Sequence, residues 1–292
     1  MANTRAILLM TAAMASFAIS DAFINRASAS IPTGQLLAIS SAISFAVFFA
    51  VLLRNGHSLF TKEVFHRAVM IRTGGEVFGS LGYVMALTLI PLATASALLQ
   101  AQPLAVTLAA AFFLGERVGV RRWTAVGIGF FGVLLIIRPG ATTFDPNMLW
   151  ALLGVAGLTA RDLGTRMLPK TITTPFVSAW ALLLLTVLGL VISPFEDPWQ
   201  PIDIAVFGWL IGISLMVVLA FYCITGALRI GEISAIAPFR YTRMVFALFI
   251  AIVFLGEFPD TWTWVGILLI VGSGIYAFIR ERQIQTLAAR KA

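Results

Sequence analysis

The chain has 292 residues, of which 60% are hydrophobic and only 11% are charged, and its mean hydropathy is +0.96. A soluble domain carries roughly 25% charged residues, so this composition excludes an ordinary soluble fold and indicates a surface that faces lipid. The net charge of +7 is better explained by basic cytoplasmic loops than by a nucleic-acid partner. The single cysteine, Cys223, excludes an intrachain disulfide.

Ten apolar segments are candidates to cross a bilayer, because about 20 helical residues span its roughly 30 Å hydrocarbon core. Glycine, proline and charged residues separate them. The sequence therefore predicts an all-α integral membrane protein with ten transmembrane helices. We number these spans one to ten; they cover residues 5–24, 34–53, 67–90, 94–114, 121–137, 147–166, 175–193, 204–227, 233–255 and 262–279.

Span one has an alternative interpretation as a signal peptide. Arg5 precedes the apolar run, and residues 27–29 (Ala-Ser-Ala) resemble a cleavage site. The run is longer than is usual for such a peptide, and Asp21 interrupts its end. We therefore expect span one to be retained as the first helix.

Charged side chains inside the spans are the first candidates for function, because such a group normally faces a cavity or a partner. Asp21, near the outer end of span one, could titrate and couple protons to transport, or it could cap the helix or pair with Asn25. Arg72 and Glu76 lie one turn apart in span three. They form either a self-neutralising pair or part of a gate.

Span six has the same spacing at Asp162 and Arg166, which predicts a local ion pair, while Arg161 is expected to point elsewhere and snorkel to water. Tyr83 in span three and Tyr222 in span eight are predicted to be buried, where each hydroxyl needs a hydrogen-bond partner. Both tyrosines are therefore candidate substrate contacts.

Span four carries a polar stripe in which Ser96, Gln100, Pro103 and Thr107 follow one another at spacings of four, three and four. Such a stripe should face the interior of the bundle. There it either contacts the substrate, through Ser96 and Gln100, or hydrogen-bonds to neighbouring helices. Proline removes a backbone hydrogen bond, so Pro103 predicts a kink and a hinge.

Span nine offers the counterpart in the second half of the chain. Pro238, a second candidate hinge, is followed by Arg240, Tyr241 and Arg243. Arg240 could hold a substrate carboxylate through a forked contact, with Tyr241 beside it. Equally, Arg240 and Arg243 could reach cytoplasmic water or lipid phosphates.

The distribution of basic residues predicts the topology. With the N-terminus placed inside, only Arg26 and Arg138 fall in outer loops, so the positive-inside rule favours two cytoplasmic termini. The basic residues of the inner segments are Arg5, Arg54, Lys62, Arg67, Arg117, Arg121, Arg122, Arg166, Lys170, Arg229, Arg280, Arg282, Arg290 and Lys291.

One phrase occurs twice, about half the chain length apart. Leu-Gly-Glu at 114–116 precedes Trp-Thr-x-Val-Gly-Ile at 123–128, and Leu-Gly-Glu at 255–257 precedes the same pattern at 262–267. The repeat unit is five spans, so residues 1–140 and 141–292 form two units. Because five is odd, the second unit enters the membrane from the opposite side. Inverted repeats of this kind support alternating access.

The five-span unit that ends in Leu-Gly-Glu and a glycine-rich span resembles the EamA repeat of the drug/metabolite transporter superfamily. The resemblance covers nearly the whole chain and implies a ten-helix solute carrier. It is closest to exporters of aromatic and other apolar amino acids, which implies that cargo. The second unit departs from the first, with Phe258-Pro259 where the first has Arg117-Val118. The residues that carry the resemblance are 90–93, Ala95, Ala97, Pro103, 114–117 and 227–257.

The sequence lacks the motifs that would indicate several other activities. There is no Gly-x4-Gly-Lys-Ser/Thr loop for nucleotide phosphates, so we expect no ATP hydrolysis and no cofactor. His57 and His66 have no cysteine partners, so no metal site is expected. The sequence also offers no nucleophile with a base, so an enzyme is not expected. The expected partners are a small-molecule substrate and membrane lipid, without nucleic acid, and the chain is expected to be a monomer or a homodimer.

The predicted function is secondary transport that moves amino acids out of the cell through a central cavity in the inner membrane. Spans three, four, eight and nine are expected to form the cavity walls. A nucleotide-type metabolite or a cationic drug is the alternative cargo. A membrane enzyme or a lipid-handling protein is the alternative class.

Overall fold

All regular secondary structure in the part of the chain that the computed structural model describes is helical; that part comprises residues 2–113, 120–139, 144–169, 171–230 and 237–289. The Leu-Gly-Glu at 114–116 and the basic residues Arg117, Lys170, Arg290 and Lys291 lie outside it. The helices are α1 (Ala2–Ser28), α2 (Thr33–Arg54), α3 (Arg67–Leu89), α4 (Leu92–Leu99), α5 (Gln102–Phe113), α6 (Val120–Ile137), α7 (Met148–Arg166), α8 (Thr174–Ile192), α9 (Ile204–Ile230), α10 (Thr242–Ile250) and α11 (Thr261–Ala289).

Five helical stretches are long and apolar enough to cross a membrane: Thr4–Ser28, Thr33–Arg54, Leu92–Phe113, Thr174–Phe195 and Ile204–Ile224. Trp123–Ile137 and Thr261–Tyr276 are shorter apolar helices. Helix α11 continues to Ala289, beyond its apolar part and beyond the end predicted for span ten at residue 279.

Span four is interrupted between α4 and α5. The amide nitrogens of Gln100 and Ala101 bond to carbonyls only three residues back, which tightens the chain into a turn. Pro103 follows at the second residue of α5, and its nitrogen has no hydrogen to donate to Leu99. A break between the two helices therefore lies just before the proline. Pro238 likewise lies in a 3₁₀ turn, Ala237–Tyr241, that precedes α10.

The second Leu-Gly-Glu phrase ends the ninth span. A π-helical turn, Ala251–Leu255, leads into Gly256, which has φ 69° in the left-handed region. A side chain is strained there and glycine is not. The glycine of the phrase thus lets the chain leave the helix and sets the position of Glu257.

The main helix pairs each join one half of the chain to the other. They are α3 with α7, α1 with α9, α2 with α8, and α6 with α11. Spans one to five correspond in order to spans six to ten. When each helix is replaced by its counterpart in the other half, the α1–α9 pair becomes the α7–α3 pair, and each of the other pairs stays the same. This pattern is what two equivalent units related by an approximate twofold axis produce.

Glycines bring these pairs into backbone contact. A Cβ at Gly79 would lie 2.6 Å from the Leu158 nitrogen, and one at Gly157 would lie 2.3 Å from the Gly79 nitrogen. Gly132 and Gly266 meet in the same way between α6 and α11. In lipid, where packing rather than water exclusion drives association, small residues of this kind allow helices to approach closely.

Candidate functional site

A cavity of about 160 Å³ lies at the seam between the two halves. Its lining comes from α1, α2, α3, α7, α8 and α9, from the α4–α5 break, and from the residues around the start of α10. The predicted walls, spans three, four, eight and nine, all contribute. Spans one, two, six and seven line the cavity as well.

Asp21 of α1 forms an ion pair with Arg243 of α10 across the seam. The guanidinium Nη2 lies 2.9 and 2.8 Å from the two carboxylate oxygens, and Nε lies 3.2 Å from Oδ2. The Tyr83 hydroxyl donates to the same Oδ2 at 3.0 Å and lies 3.3 Å from the Ser96 hydroxyl. Asp21 is therefore neither a helix cap nor a partner of Asn25, whose amide donates to the Leu87 carbonyl instead.

Aromatic rings enclose the Arg243 guanidinium. Its carbon lies 5.0 Å from the centre of the Phe17 ring and 5.1 Å from that of Tyr83. Cation–π contact and two-point hydrogen bonding together hold the charge in a buried place. Arg243 therefore faces the protein interior, and the alternative of contact with cytoplasmic water or lipid phosphates is wrong for this residue.

A second charged cluster joins α3, α7 and the turn before α10. Arg72 and Glu76 approach to 3.6 Å, and Glu76 Oε1 also accepts from Arg161 at 3.2 Å. Arg161 donates to Asp162 Oδ1 at 2.9 Å. Arg240 lies 3.4 Å from the other oxygen of Asp162. Arg72 and Glu76 thus belong to a larger network, and Arg161 does not snorkel to water.

The polar stripe of span four divides at the helix break. Ser96 reaches the cavity only through the Tyr83 hydroxyl, and Gln100 lines it while donating to the Tyr241 carbonyl at 3.3 Å. Pro103 also lines the cavity. Thr107 instead bonds back to the Pro103 carbonyl at 3.1 Å.

Two predicted substrate contacts are corrected. Tyr222 is 77% exposed on the outer surface of α9, because the cavity face of that helix carries Val217, Phe221 and Ile224 at helical spacing. The Tyr241 ring is buried against Gly274, where a Cβ would lie 1.8 Å from the hydroxyl oxygen. Tyr241 is not part of the cavity lining, so only its carbonyl, bonded to Gln100, connects it with the site.

Several lining residues were not predicted from the sequence. Gln102 donates to Asp162 Oδ2 at 2.9 Å, and α2 presents Ser40, Ser41 and Ser44 to the cavity. The serines follow a helical spacing like that of span four, which is the signal that could have found them. The described residues contain no group of three histidine, cysteine or acidic side chains that could hold a metal ion.

Polar contacts also join the two halves at the ends that the charge rule places outside. Glu257 accepts from the Ala93 amide at 3.2 Å, at the start of α4. Arg138 pairs with Asp260, and Gln35 exchanges two hydrogen bonds with the backbone of Gln200, at 2.8 and 2.9 Å.

The two loop carboxyls have opposite pKa shifts. Burial raises the pKa of Glu257, although amide hydrogen bonds from Ala93 and Leu92 oppose that effect. Burial also tends to raise the pKa of Asp260. Hydrogen bonds from Thr263, together with the charge and hydrogen bond of Arg138, outweigh that effect, so the pKa lies below the ordinary value of 3.8.

A helical membrane protein with a charged cavity between two similar halves has the architecture of a solute carrier. Comparison with known proteins agrees: the model of the EamA-like transporter family matches the chain twice, at residues 4–138 and 146–279. The chain belongs to this family and is a multi-pass membrane protein.

The named relatives are bacterial. The chain is 24% identical to an S-adenosylmethionine uptake transporter of Rickettsia prowazekii, over 70% of this chain and 69% of that one. It is 28% identical to a riboflavin transporter of Vibrio cholerae (94% and 92%) and 26% identical to a pseudopaline exporter of Pseudomonas aeruginosa (91% and 93%). A solved crystal structure shares the fold with a TM-score of 0.66 at 22% identity, over 96% of this chain and 99% of that one.

Proposed function

We propose that the chain is a ten-span carrier in which residues 1–140 and 141–292 are inverted repeats with both termini in the cytoplasm of a bacterial cell. The paired helices, the repeated Leu-Gly-Glu phrase and the basic inner loops support this topology. It is tested in a Cys223→Ser background with single cysteines at Asn55 and Asp197. An impermeant maleimide should label position 197 in intact cells and position 55 only after the membrane is opened. Labelling of both from outside would contradict the topology.

The proposed cargo is an amino acid with an apolar or aromatic side chain, exported by alternating access. The observation that carries this proposal is a cavity with both kinds of charge beside apolar walls. Its charged lining residues are Asp21, Glu76, Arg161, Arg240 and Arg243. A zwitterion complements such a surface, and its side chain would lie against groups such as Phe221 and Leu182.

Arg240 is the proposed contact for the carboxylate of the cargo. Its side chain is 30% exposed and its partner in the second cluster, Asp162, is 3.4 Å away, so it can still form a forked contact. Tyr83, Gln100 and, through Tyr83, Ser96 supply polar contacts on the other wall. Asp21, Arg72 and Glu76 hold the halves together as gating or proton-coupling groups, and Pro103 and Pro238 are the hinges.

Reconstituted protein tests the cargo. We expect saturable efflux of phenylalanine or leucine from proteoliposomes and a 10- to 100-fold loss of kcat/KM in Arg240→Gln, because a hydrogen bond to a charged group contributes about 1.5–3 kcal/mol. Arg54→Gln, at the exposed end of α2, is the matched control and should transport normally. The same assay with and without a pH gradient separates proton coupling from uniport. No flux of any amino acid would overturn the proposed cargo.

A nucleoside- or flavin-type metabolite is the second candidate, because relatives are named for S-adenosylmethionine and riboflavin. The lining favours it over a cationic drug, since three arginines face two carboxylates. Competition by such metabolites against amino-acid efflux would support this candidate, and absence of competition would count against it.

A further inference from the structure

Several charged groups in and around the cavity already have hydrogen-bond partners. Both oxygens of Asp21 accept from Arg243, and both oxygens of Asp162 accept from arginine or from Gln102. A ligand gains little by competing for such groups, because each new bond would replace an existing one.

Two fully buried side-chain atoms of lining residues lack a hydrogen-bond partner. Glu76 Oε2 and the Ser178 hydroxyl have no hydrogen-bond partner, although Glu76 is only 5% exposed and Ser178 only 1%. Both residues line the cavity. Buried polar groups in native proteins almost always have partners, so this pair of vacant acceptors points to a ligand.

The surrounding contacts hold the Glu76 carboxylate and the backbone next to Ser178 in place. Arg161 holds Glu76 through Oε1 at 3.2 Å, which leaves Oε2 available. Arg72 lies 3.6 Å from Oε2 and donates to the carbonyl of Val177, the residue before Ser178, at 3.3 Å. The 3.6 Å approach is within ion-pair range but is longer than a hydrogen bond. Arg72 therefore links α3 to α8 without forming a hydrogen bond to Glu76 Oε2.

A carboxylate oxygen only accepts hydrogen bonds, and a hydroxyl can accept as well as donate, so the complementary ligand group is rich in N–H donors. An ammonium has three such donors and the charge that a carboxylate attracts. One turn further along α8, Leu182 also lines the cavity and offers an apolar surface beside the pair.

We propose that Glu76 Oε2 and Ser178 Oγ form the subsite for the amino group of the cargo. The inference rests on the proposed function and deepens it, since a zwitterion would place its ammonium here and its carboxylate at Arg240. Arg72 and Arg161 flank Glu76, so a bound ammonium needs a nearby counter-charge, which the carboxylate of the same molecule supplies. A cation without a carboxylate should bind there more weakly than the zwitterion but more tightly than an uncharged analogue.

The test compares L-phenylalanine with 3-phenylpropanoate, which keeps the carboxylate and the ring but lacks the amino group. Binding to detergent-purified protein is followed by thermal shift and by tryptophan fluorescence. Wild type should prefer phenylalanine. Ser178→Ala should weaken phenylalanine binding about 3- to 10-fold and Glu76→Gln about 10- to 100-fold, as expected for neutral and charged hydrogen bonds. Binding of 3-phenylpropanoate should change little.

Ser16→Ala is the matched control, because Ser16 is also buried but lies outside the cavity lining, and its hydroxyl already donates to the Ala12 carbonyl at 2.9 Å. It should keep the wild-type preference. If wild type binds phenylalanine and the Ser178→Ala and Glu76→Gln variants keep the same preference, the subsite is wrong and the proposed function stands.

A second probe pair keeps the inference testable if the wild-type protein binds no amino acid. Phenethylammonium and 2-phenylethanol differ only in the group that the subsite would recognise. A preference for the amine that Ser178→Ala removes would support the subsite even though the proposed cargo had failed. Equal effects of the two probes would overturn it.

Discussion

The Asp21–Arg243 pair is the residue-scale feature that connects the two halves most directly. We expect Asp21→Asn to destabilise the protein by about 3–5 kcal/mol, because it leaves a buried arginine without its counter-charge. The midpoint of thermal unfolding in detergent measures this loss. Asp197→Asn, in an exposed loop, should change stability by less than about 0.5 kcal/mol.

The double variant Asp21→Asn/Arg243→Gln separates charge from packing. Removal of both charges should recover part of the stability that Asp21→Asn loses, since no uncompensated charge is left. If the two single losses simply add in the double variant, the pair does not behave as an ion pair.

The loop carboxyls predict opposite pH dependences. The pKa of Glu257 is raised by burial, so its folded form holds the proton more tightly than the unfolded form. The stability from this group is complete below the ordinary pKa of 4.5 and is lost as the pH rises through the raised value. Glu257→Gln keeps an acceptor for the Ala93 amide without this loss, and its unfolding midpoint should rise relative to wild type between pH 4.5 and 8.

Asp260 provides the comparison of opposite sign. Its lowered pKa means that its stabilisation is present above the ordinary value of 3.8 and is lost as the pH falls through the lowered value. Asp260→Asn should therefore lower the unfolding midpoint at pH 7, and the difference from wild type should shrink in acid. Parallel pH profiles for the two variants would contradict both assignments.

At the scale of helices, the α3–α7 contact depends on which glycines face the partner. A Cβ at Gly75 would lie 2.4 Å from the Arg161 nitrogen, whereas one at Gly74 has no atom within 4 Å. We expect Gly75→Ala to cost about 1–3 kcal/mol through overpacking and to reduce transport by displacing Arg161. Gly74→Ala should be neutral or stabilising by up to about 1 kcal/mol, because alanine favours the helix.

Unfolding midpoints and transport rates of the two glycine variants decide this prediction. The adjacent positions share the helix and differ only in orientation. A comparable loss in both variants would mean that helix flexibility rather than close approach matters in α3. Retained transport in Gly75→Ala would show that α3 and α7 tolerate separation.

Helix positions were largely predictable from the sequence. Span three was predicted at 67–90 and α3 covers Arg67–Leu89; span six was predicted at 147–166 and α7 covers Met148–Arg166. Apolar length and the breaking residues set these limits locally. The break at Gln100 was harder to place, because the proline that causes it acts on the preceding turn.

The site was less predictable, because some of its contacts join residues that are far apart in the sequence. Arg72 and Glu76 lie one turn apart, so their proximity follows from the helix period. Asp21 and Arg243 are separated by 222 positions, and their pairing depends on how α1 and α10 cross. The prediction that Tyr222 is buried was wrong for a similar reason. A uniformly apolar helix gives no signal of which face meets the cavity.

At the scale of the whole molecule, polar contacts hold together the ends of the two halves that are proposed to face outward. Gly34 donates to Glu196 at 2.6 Å, and Gln35 exchanges hydrogen bonds with Gln200. Glu257 joins the start of α4 in the same region. Alternating access requires the cavity to open on each side in turn, so the proposed export requires these contacts to break during each cycle.

A reversible cross-link at this outer end tests that requirement. In a Cys223→Ser background, cysteines at Gln35 and Gln200 should react with a short bifunctional maleimide or form a disulfide on oxidation. The disulfide should stop efflux, because it holds the outer end closed, and a reductant should restore it. Each single-cysteine variant should transport normally under the same oxidation. Undiminished efflux through the cross-linked protein would mean that cargo leaves without separation of the α2 and α8–α9 ends, and the movement would then have to lie elsewhere along the seam.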